Sequence, residues 1–300
     1  MNLHQLRIFH TVARLGSYSR AAEELKISQP SVSIQVGDLE RSLGVDLFEQ
    51  LGKRIYLTEA GRVLEEYAQR ILGLFDEASA AVAEVRGVHR GRLAIGATNI
   101  PGTYLLPRAL FSFQERFPQI TVSLEIGTAR RIQERVLRNE VELGVVGWEI
   151  SAQNLVSRRF YEDEIVLVVP PGHRLAAGGP VPLGTLRDER VIMRERGSGT
   201  REAVEAALRE ANLALPAAME LGSGEAIKEA VAAGLGVSFL SSLAVAADTA
   251  AGRLVRVPLE GITITQPFVL IQHRDKRPSQ AMTALIELLG TATNTVGSKQ

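Results

Sequence analysis

The sequence predicts an α + α/β architecture in three parts: a small helical unit carrying a hairpin, one long helix, and a large α/β domain in two lobes. Three observations predict it. Apolar residues recur at helical spacing through the first forty-odd residues, with turn residues between the runs. A single uninterrupted apolar stripe then runs from about residue 59 to residue 86. Beyond it, short apolar strand-like runs alternate with amphipathic helical runs, the pattern of parallel strands joined by helical crossovers.

The first unit is justified residue by residue. Leu3, Leu6, Phe9, Val12 and Ala13 share one helix face over residues 3–14, and Gly16 stops that helix. Ser17 or Ser19 caps the next helix, whose inner face is the small set Ala21, Ala22 and Leu25. After the turn Lys26-Ile27-Ser28, Ser28 caps a third helix and Pro30 sits in its first turn, where a missing N–H costs nothing. Val32, Val36, Leu39 and Leu43 form its buried side, and Gly44 ends it. The outer face carries Gln29, Ser31, Ser33 and Gln35, groups that donate and accept at base edges in a major groove. Two short helices at a sharp turn, the second with a polar face, describe a helix-turn-helix. A solvated face with capping serines fits the same residues. Val45 to Phe48 and Arg54 to Leu57 read as the strands of a wing hairpin, with Lys53 and Arg54 placed to meet phosphate.

Thr58 caps the long helix. Leu64, Tyr67, Ile71, Leu74, Ala78, Val82 and Val85 alternate at three and four, a heptad-like seam that calls for a partner helix or its own chain. Gly87 to Gly91 is a hinge. Strands are expected over 92–97, 121–126, 143–147, 164–169, 191–194, 237–240 and 267–272. Helices are expected over 102–117, 129–138, 201–211, 224–233 and 278–289. The parts are residues 1–58, 59–89 and 90–300, the last divided into lobe I (91–161 and 267–295) and lobe II (162–266).

Ala97-Thr98-Asn99-Ile100-Pro101-Gly102 runs from a strand end into a helix start, where free N–H groups favour an anion. So does Arg194-Glu195-Arg196-Gly197-Ser198-Gly199-Thr200-Arg201, whose glycines let the backbone wrap a small group. The candidate ligand residues are Thr98, Asn99, Pro101, Gly102, Thr128, Trp148, Ser198, Gly199, Thr200 and Ser223. Singly, each Ser and Thr reads as a cap. Several helix starts facing one cleft read as a site, because ligands of open sheets sit at strand C-termini.

Composition removes other classes. The 300 residues are 45% apolar and 23% charged, those of a folded chain. There is no cysteine, so no disulfide, thiolate nucleophile or Cys-based zinc site. The five histidines are scattered, no Gly-x-Ser-x-Gly elbow exists, and neither a catalytic residue nor a metal site is expected. No apolar run is long enough to span a bilayer, and the opening Met1-Asn2-Leu3-His4-Gln5 has no signal-peptide pattern, so the cytoplasm is the expected compartment. Net charge is zero, so DNA binding rests on local pattern.

That pattern is specific. Ala21-Ala22-Glu23-Glu24-Leu25, Ser28-Gln29-Pro30-Ser31-Val32-Ser33, Leu39-Glu40, Leu43-Gly44, Leu47-Phe48 and Leu57-Thr58-Glu59-Ala60-Gly61 closely resemble the LysR-type transcriptional regulators. Gln50 departs from an Arg common after the Leu-Phe pair, and Gly37 from a larger polar residue. The resemblance implies a winged helix-turn-helix whose third helix enters the major groove of operator DNA. Ser28, Gln29, Pro30, Ser31, Ser33 and Gln35 then carry or position the reading, and Lys53 and Arg54 hold phosphate. It implies dimerisation through the linker helix, a homotetramer, RNA polymerase as a further partner, and a two-lobed effector domain of the type II periplasmic-binding-protein kind. The Gly-Ser-Gly-Thr-Arg loop resembles the subgroup controlling carbon fixation and sulfur assimilation, which implies a small anionic metabolite as effector and no cofactor.

Overall fold

The computed structural model describes residues 1–52, 54–85, 91–150 and 152–297. Lys53 and most of the expected hinge, residues 86–90, lie outside them. The chain forms two units: residues 1–91 with 138–140, and residues 92–137 with 141–300.

In the first unit, α1 spans Leu3–Leu15, α2 Tyr18–Leu25 and α3 Gln29–Leu43. Each start is capped by a short polar side chain. Asn2 and Gln5 form a reciprocal capping box, Ser17 accepts from the Arg20 N–H, and Ser28 accepts from the Ser31 N–H. Gly16, Lys26 and Gly44 end the helices in the left-handed conformation. Ile8, Val12, Ala21, Ala22, Val32 and Val36 form one buried cluster. Leu6, Phe9, Leu39, Leu47 and Ala68 form another.

The wing differs from expectation. Its strands are β1 Phe48–Leu51 and β2 Arg54–Leu57, paired antiparallel with Leu51 opposite Arg54. Val45 to Leu47 lies outside the strand. The Glu40 carboxylate accepts from the Leu47 and Phe48 N–H groups, so α3 takes the donors a strand partner would have used. Gly52, just past the paired Leu51, takes a positive φ.

Next comes α4, Glu59–Val85. Its apolar residues divide. Leu64, Ala68 and Leu72 turn inward; Ala68 is fully buried and Leu64 packs against the same cluster. Val63, Tyr67, Ile71, Leu74 and Val82 form an exposed stripe at spacings of four, four, three and eight. Leu64 is therefore a residue of its own unit's core, not of the seam.

The second unit runs β3 Gly91–Ala97, a π turn Pro101–Leu105, α5 Leu106–Arg116, β4 Ile120–Ile126, α6 Ala129–Leu137, β5 Leu143–Val146 and β6 Leu155–Val169. It continues β7 Val191–Arg194, α7 Gly199–Glu210, β8 Met219–Leu221, α8 Gly224–Ala232, β9 Val237–Ser241, α9 Ser242–Ala250, β10 Val255–Val257, β11 Ile264–His273 and α10 Gln280–Gly297. The strand order is β4-β3-β5-β11-β6-β9-β7-β8, with β10 on β6. Crossover strands are parallel, as β3 with β5 and β7 with β9. β6 and β11 are antiparallel and carry the chain between the lobes. Toward its C-terminus β11 pairs with β5 of lobe I, while the later part of β6 pairs with β9 and β10 of lobe II. The ladder slips once, between Phe268 and Val269, where Phe160 is passed over.

Three expectations needed revision here. β6 begins nine residues before Glu164, because residues 155–163 carry charged and polar side chains on a ladder with exposed positions and so lack a strand's apolar signature. The helix expected from Gly102 begins three residues earlier and passes through a π turn, Pro101–Leu105, closed by the Leu106 N–H on the Pro101 carbonyl. α9 is an alanine-rich helix with no clear apolar period, and β8 and β10 have three residues each, too short to show one.

Gly61 sets a test of the first unit. A Cβ there would stand 2.1 Å from the Leu47 carbonyl oxygen, which already accepts the Thr58 N–H. That neighbour is backbone and cannot swing away. Gly61→Ala is expected to destabilise the unit by about 1–3 kcal/mol, read as an earlier loss of helical circular dichroism in urea.

Candidate functional site

On α3 the expected reading residues Ser28, Gln29, Pro30, Ser31 and Ser33 are exposed, and Gln35 is half-buried. The polar ones pair along the helix. Gln29 Nε2 donates to Ser33 Oγ at 3.0 Å, and the Ser28 and Ser31 hydroxyls lie 2.8 Å apart. Arg54 is exposed on β2.

In the second unit the candidates separate into two groups. One gathers around Gln266, a β11 residue absent from the sequence-based set and only 4% exposed. Its Nε2 donates to the Gly147 carbonyl at 2.9 Å, and its Oε1 accepts from Thr200 Oγ1 at 3.2 Å. A Cβ on Gly147 would sit 2.1 Å from that amide nitrogen and 3.8 Å from Thr98 Oγ1. A Cβ on Gly199 would meet the same nitrogen at 2.4 Å and Trp148 at 3.2 Å. Gly147 of lobe I and Gly199 and Thr200 of lobe II therefore meet at one amide, with Thr98 near Gly147 and Trp148 near Gly199. Ser198 heads α7 without capping it, and is buried. Pro101 and Gly102 are buried in the π turn, and a Cβ on Gly102 would press on Ala97 and Ile126 at about 3 Å. Asn99 is exposed at the head of that turn.

The other group is committed to capping. Thr128 accepts from the Arg131 N–H, and Ser223 from the Ala226 N–H. Both are exposed.

Two features of the interlobe region escaped sequence reasoning. Tyr104, in the π turn of lobe I, donates to Glu225 Oε1 of α8 in lobe II at 2.6 Å. Burial and that hydrogen bond push the Tyr104 hydroxyl up to about 12. The same bond, with Lys228 beside it, holds the Glu225 carboxyl below its ordinary value. Lys228 also bonds Asp248 at 2.8 Å and the Ala244 carbonyl at 3.2 Å. Asp163 of β6 is fully buried and pairs in register with Gln266. Ser242 Oγ donates to its Oδ1 at 3.3 Å, whereas Oδ2 and the nearby Ser241 Oγ make no hydrogen bond. Burial pushes this carboxyl up to about 7, against the lowering effect of the Ser242 hydroxyl. The sequence carried little signal for either: Asp163 lies within the acidic run Glu162-Asp163-Glu164, and Gln266 stands just ahead of the strand expected from Pro267.

Asp163 gives a pH prediction. A carboxyl whose folded value lies near 7 instead of near 3.8 binds its proton more tightly in the native state. Its contribution is complete below the unfolded value and is lost as pH rises through about 7. The wild-type melting temperature should fall across that window relative to Asp163→Asn, with the two converging in acid. Parallel melting profiles would remove the buried proton from the account.

Residues 3–62 match the model of the bacterial regulatory helix-turn-helix protein, lysR family, and residues 86–294 match the LysR substrate binding domain. The chain is 37% identical over 287 residues to the HTH-type transcriptional activator CmpR of Synechocystis sp., covering 96% of this chain and 94% of that one. It is 36% identical over 289 residues to the RuBisCO operon transcriptional regulator of Allochromatium vinosum, covering 96% and 95%. Among solved structures it resembles full-length CbnR complexed with its target DNA, with TM-score 0.69, 25% identity, and 97% and 100% coverage. It also resembles the Synechocystis CcmR regulatory domain in complex with 2-PG, with TM-score 0.63, 30% identity, and 68% and 98% coverage. These relatives are regulators, not enzymes. Among the described residues no helix is long and apolar enough to cross a membrane. The chain belongs to the LysR-type transcriptional regulators, sequence-specific DNA-binding proteins with an effector-binding domain.

Proposed function

We propose that this regulator answers to a small anionic metabolite held between the lobes of residues 91–161 with 267–295 and 162–266. The observation that carries the reading is that Gly147 of lobe I and Thr200 of lobe II both bond the Gln266 amide, with Thr98 beside Gly147. Hydroxyls, backbone N–H groups at the start of α7 and a neutral amide suit an oxyanion. The CcmR neighbour carries 2-PG, which supports the same class for this chain. Thr98, Asn99, Pro101, Gly102, Trp148, Ser198, Gly199 and Thr200 line or shape the site, and Thr128 and Ser223 act at the cleft rim through the helix starts they cap. A ligand bridging both lobes favours one interlobe angle, and the response is a population shift that requires unequal affinity for two states.

Residues 1–58 bind DNA, residues 59–89 form the linker, and residues 90–300 form the effector domain. Ser28, Gln29, Pro30, Ser31, Ser33 and Gln35 present the base-reading face of α3, and Lys53 and Arg54 meet phosphate. The exposed stripe of Val63, Tyr67, Ile71, Leu74 and Val82 supports a homodimer through α4, which sets two α3 helices on a pseudo-palindromic site. The assembled form is a homotetramer in the cytoplasm that acts on RNA polymerase.

A thermal-shift screen against phosphorylated acids, sulfur oxyanions and aromatic carboxylates tests the effector reading. A ligand at a hundred times its Kd stabilises the native state by about 2.7 kcal/mol. One class should raise the melting temperature, and Thr98→Ala and Thr200→Ala should lose the shift while keeping DNA affinity. A shift retained in both variants would move the pocket elsewhere. On the DNA side, Gln29→Ala and Ser33→Ala should each weaken operator binding by about 1–3 kcal/mol while sparing random DNA. Equal losses on both duplexes, measured by fluorescence anisotropy, would make these phosphate contacts.

A further inference from the structure

Ile34 stands in the middle of α3. The helix buries Val32, Val36 and Leu39. At 3.6 residues per turn, a residue two positions from both Val32 and Val36 points away from that side. Ile34 does so, and it is 59% exposed. Its surroundings are polar: Ser31, Ser33 and Gln35 flank it. A lone exposed apolar residue is ordinary on a protein surface. Two further observations on the same helix make this one different.

The first is Gly37, one turn beyond Ile34. Glycine is the most costly helix-interior residue after proline. A Cβ at Gly37 would meet nothing within 4 Å, and its φ is negative. Neither packing nor backbone conformation within the chain calls for glycine there. It leaves open space beside Ile34, one helical turn away.

The second is the pairing of the polar groups. Gln29 bonds Ser33 and Ser28 bonds Ser31, so part of the hydrogen-bonding capacity of these four is engaged along the helix. Ile34 makes no hydrogen bond through its side chain. It presents a branched apolar surface, and the major groove offers one apolar group to receive it, the C5-methyl of thymine.

We propose that Ile34 is a specificity-determining residue that seats on a thymine 5-methyl group of the operator, with Gly37 giving the DNA room to approach. The proposal rests on α3 being the major-groove reading helix. It adds an apolar criterion to a face otherwise read as polar, selecting thymine over cytosine at one position in each half-site.

The test removes only that methyl. Duplexes enriched from a random-sequence pool by the full-length chain serve as the probe, and each thymine in turn is replaced by deoxyuridine. Burying one methyl-sized group corresponds to about a fourfold change in affinity. Wild-type binding should weaken by about that factor at one thymine per half-site, and Ile34→Ala should be insensitive to the replacement there. Placing 5-methylcytosine at that position should recover part of the loss relative to cytosine for wild type alone. Gly37→Ala should raise the melting temperature of the free protein and yet weaken binding to the enriched duplex. The proposal is overturned if no thymine methyl matters to wild type, or if the deoxyuridine penalty is the same in Ile34→Ala. Unchanged operator affinity in Gly37→Ala removes the clearance role. Failure of the underlying reading looks different: Gln29→Ala and Ser33→Ala would then also leave the enriched sequences unchanged.

Discussion

The antiparallel pairing of β6 with β11 is the constraint on which the second unit depends. These strands carry the chain out of lobe I and back again, so each lobe's sheet is closed by a strand it shares with the other. The crossing is kept in register by apolar side chains above and below it. Phe268 is fully buried among Ile100 and Leu105 of lobe I and Ala244 of lobe II. It also carries two polar residues side by side, Asp163 and Gln266. Buried polar groups without partners cost free energy, so a Gln at this point is retained only where both ends of its amide are bonded. Gln266 meets that requirement with a carbonyl from lobe I and a hydroxyl from lobe II.

That arrangement makes the cleft a polar seam in an apolar crossing. Gly147 and Gly199 are glycine because the Gln266 amide occupies the space a Cβ would need. The Tyr104–Glu225 bond spans the lobes at a second point, with Lys228 and Asp248 behind Glu225. Asp163 holds a carboxyl oxygen with no partner in a fully buried setting, a local cost the surrounding fold must carry.

The DNA-binding unit is organised by a different interaction. Glu40, near the end of α3, accepts two backbone N–H groups ahead of the wing, and Thr58 Oγ1 donates to the Asp46 carbonyl while accepting from Gly61. The reading helix, the wing and the start of α4 are thereby tied through side chain-to-backbone bonds. Such bonds fix direction as well as distance, which suits a surface that must match the spacing of base edges and phosphates.

The sequence by itself determined the helices of the first unit, their caps and stops, the long helix, and most strands of the α/β domain. Those signals are local: a capping serine, a left-handed glycine or a three-and-four apolar spacing acts within one turn of chain. It also determined the family, through motifs at fixed spacing, and with it the DNA-binding role. The positions of Thr98 after β3 and of Gly199 and Thr200 at the start of α7 were legible as a strand end and a helix start. Tertiary structure decided what depends on residues far apart in the chain. Gln266 lay just ahead of an expected strand and Asp163 within an acidic run, and only the fold brought residues 119 and 79 positions away, Gly147 and Ser242, beside them. The first half of β6 carried no apolar alternation because its ladder with β11 leaves much of it exposed. Tyr104 and Glu225 meet across 121 residues. Local spacing encodes which face of an element is buried, but only the folded sheet decides which buried polar groups find one another, because hydrogen bonds across a cleft are set by the distances that packing leaves.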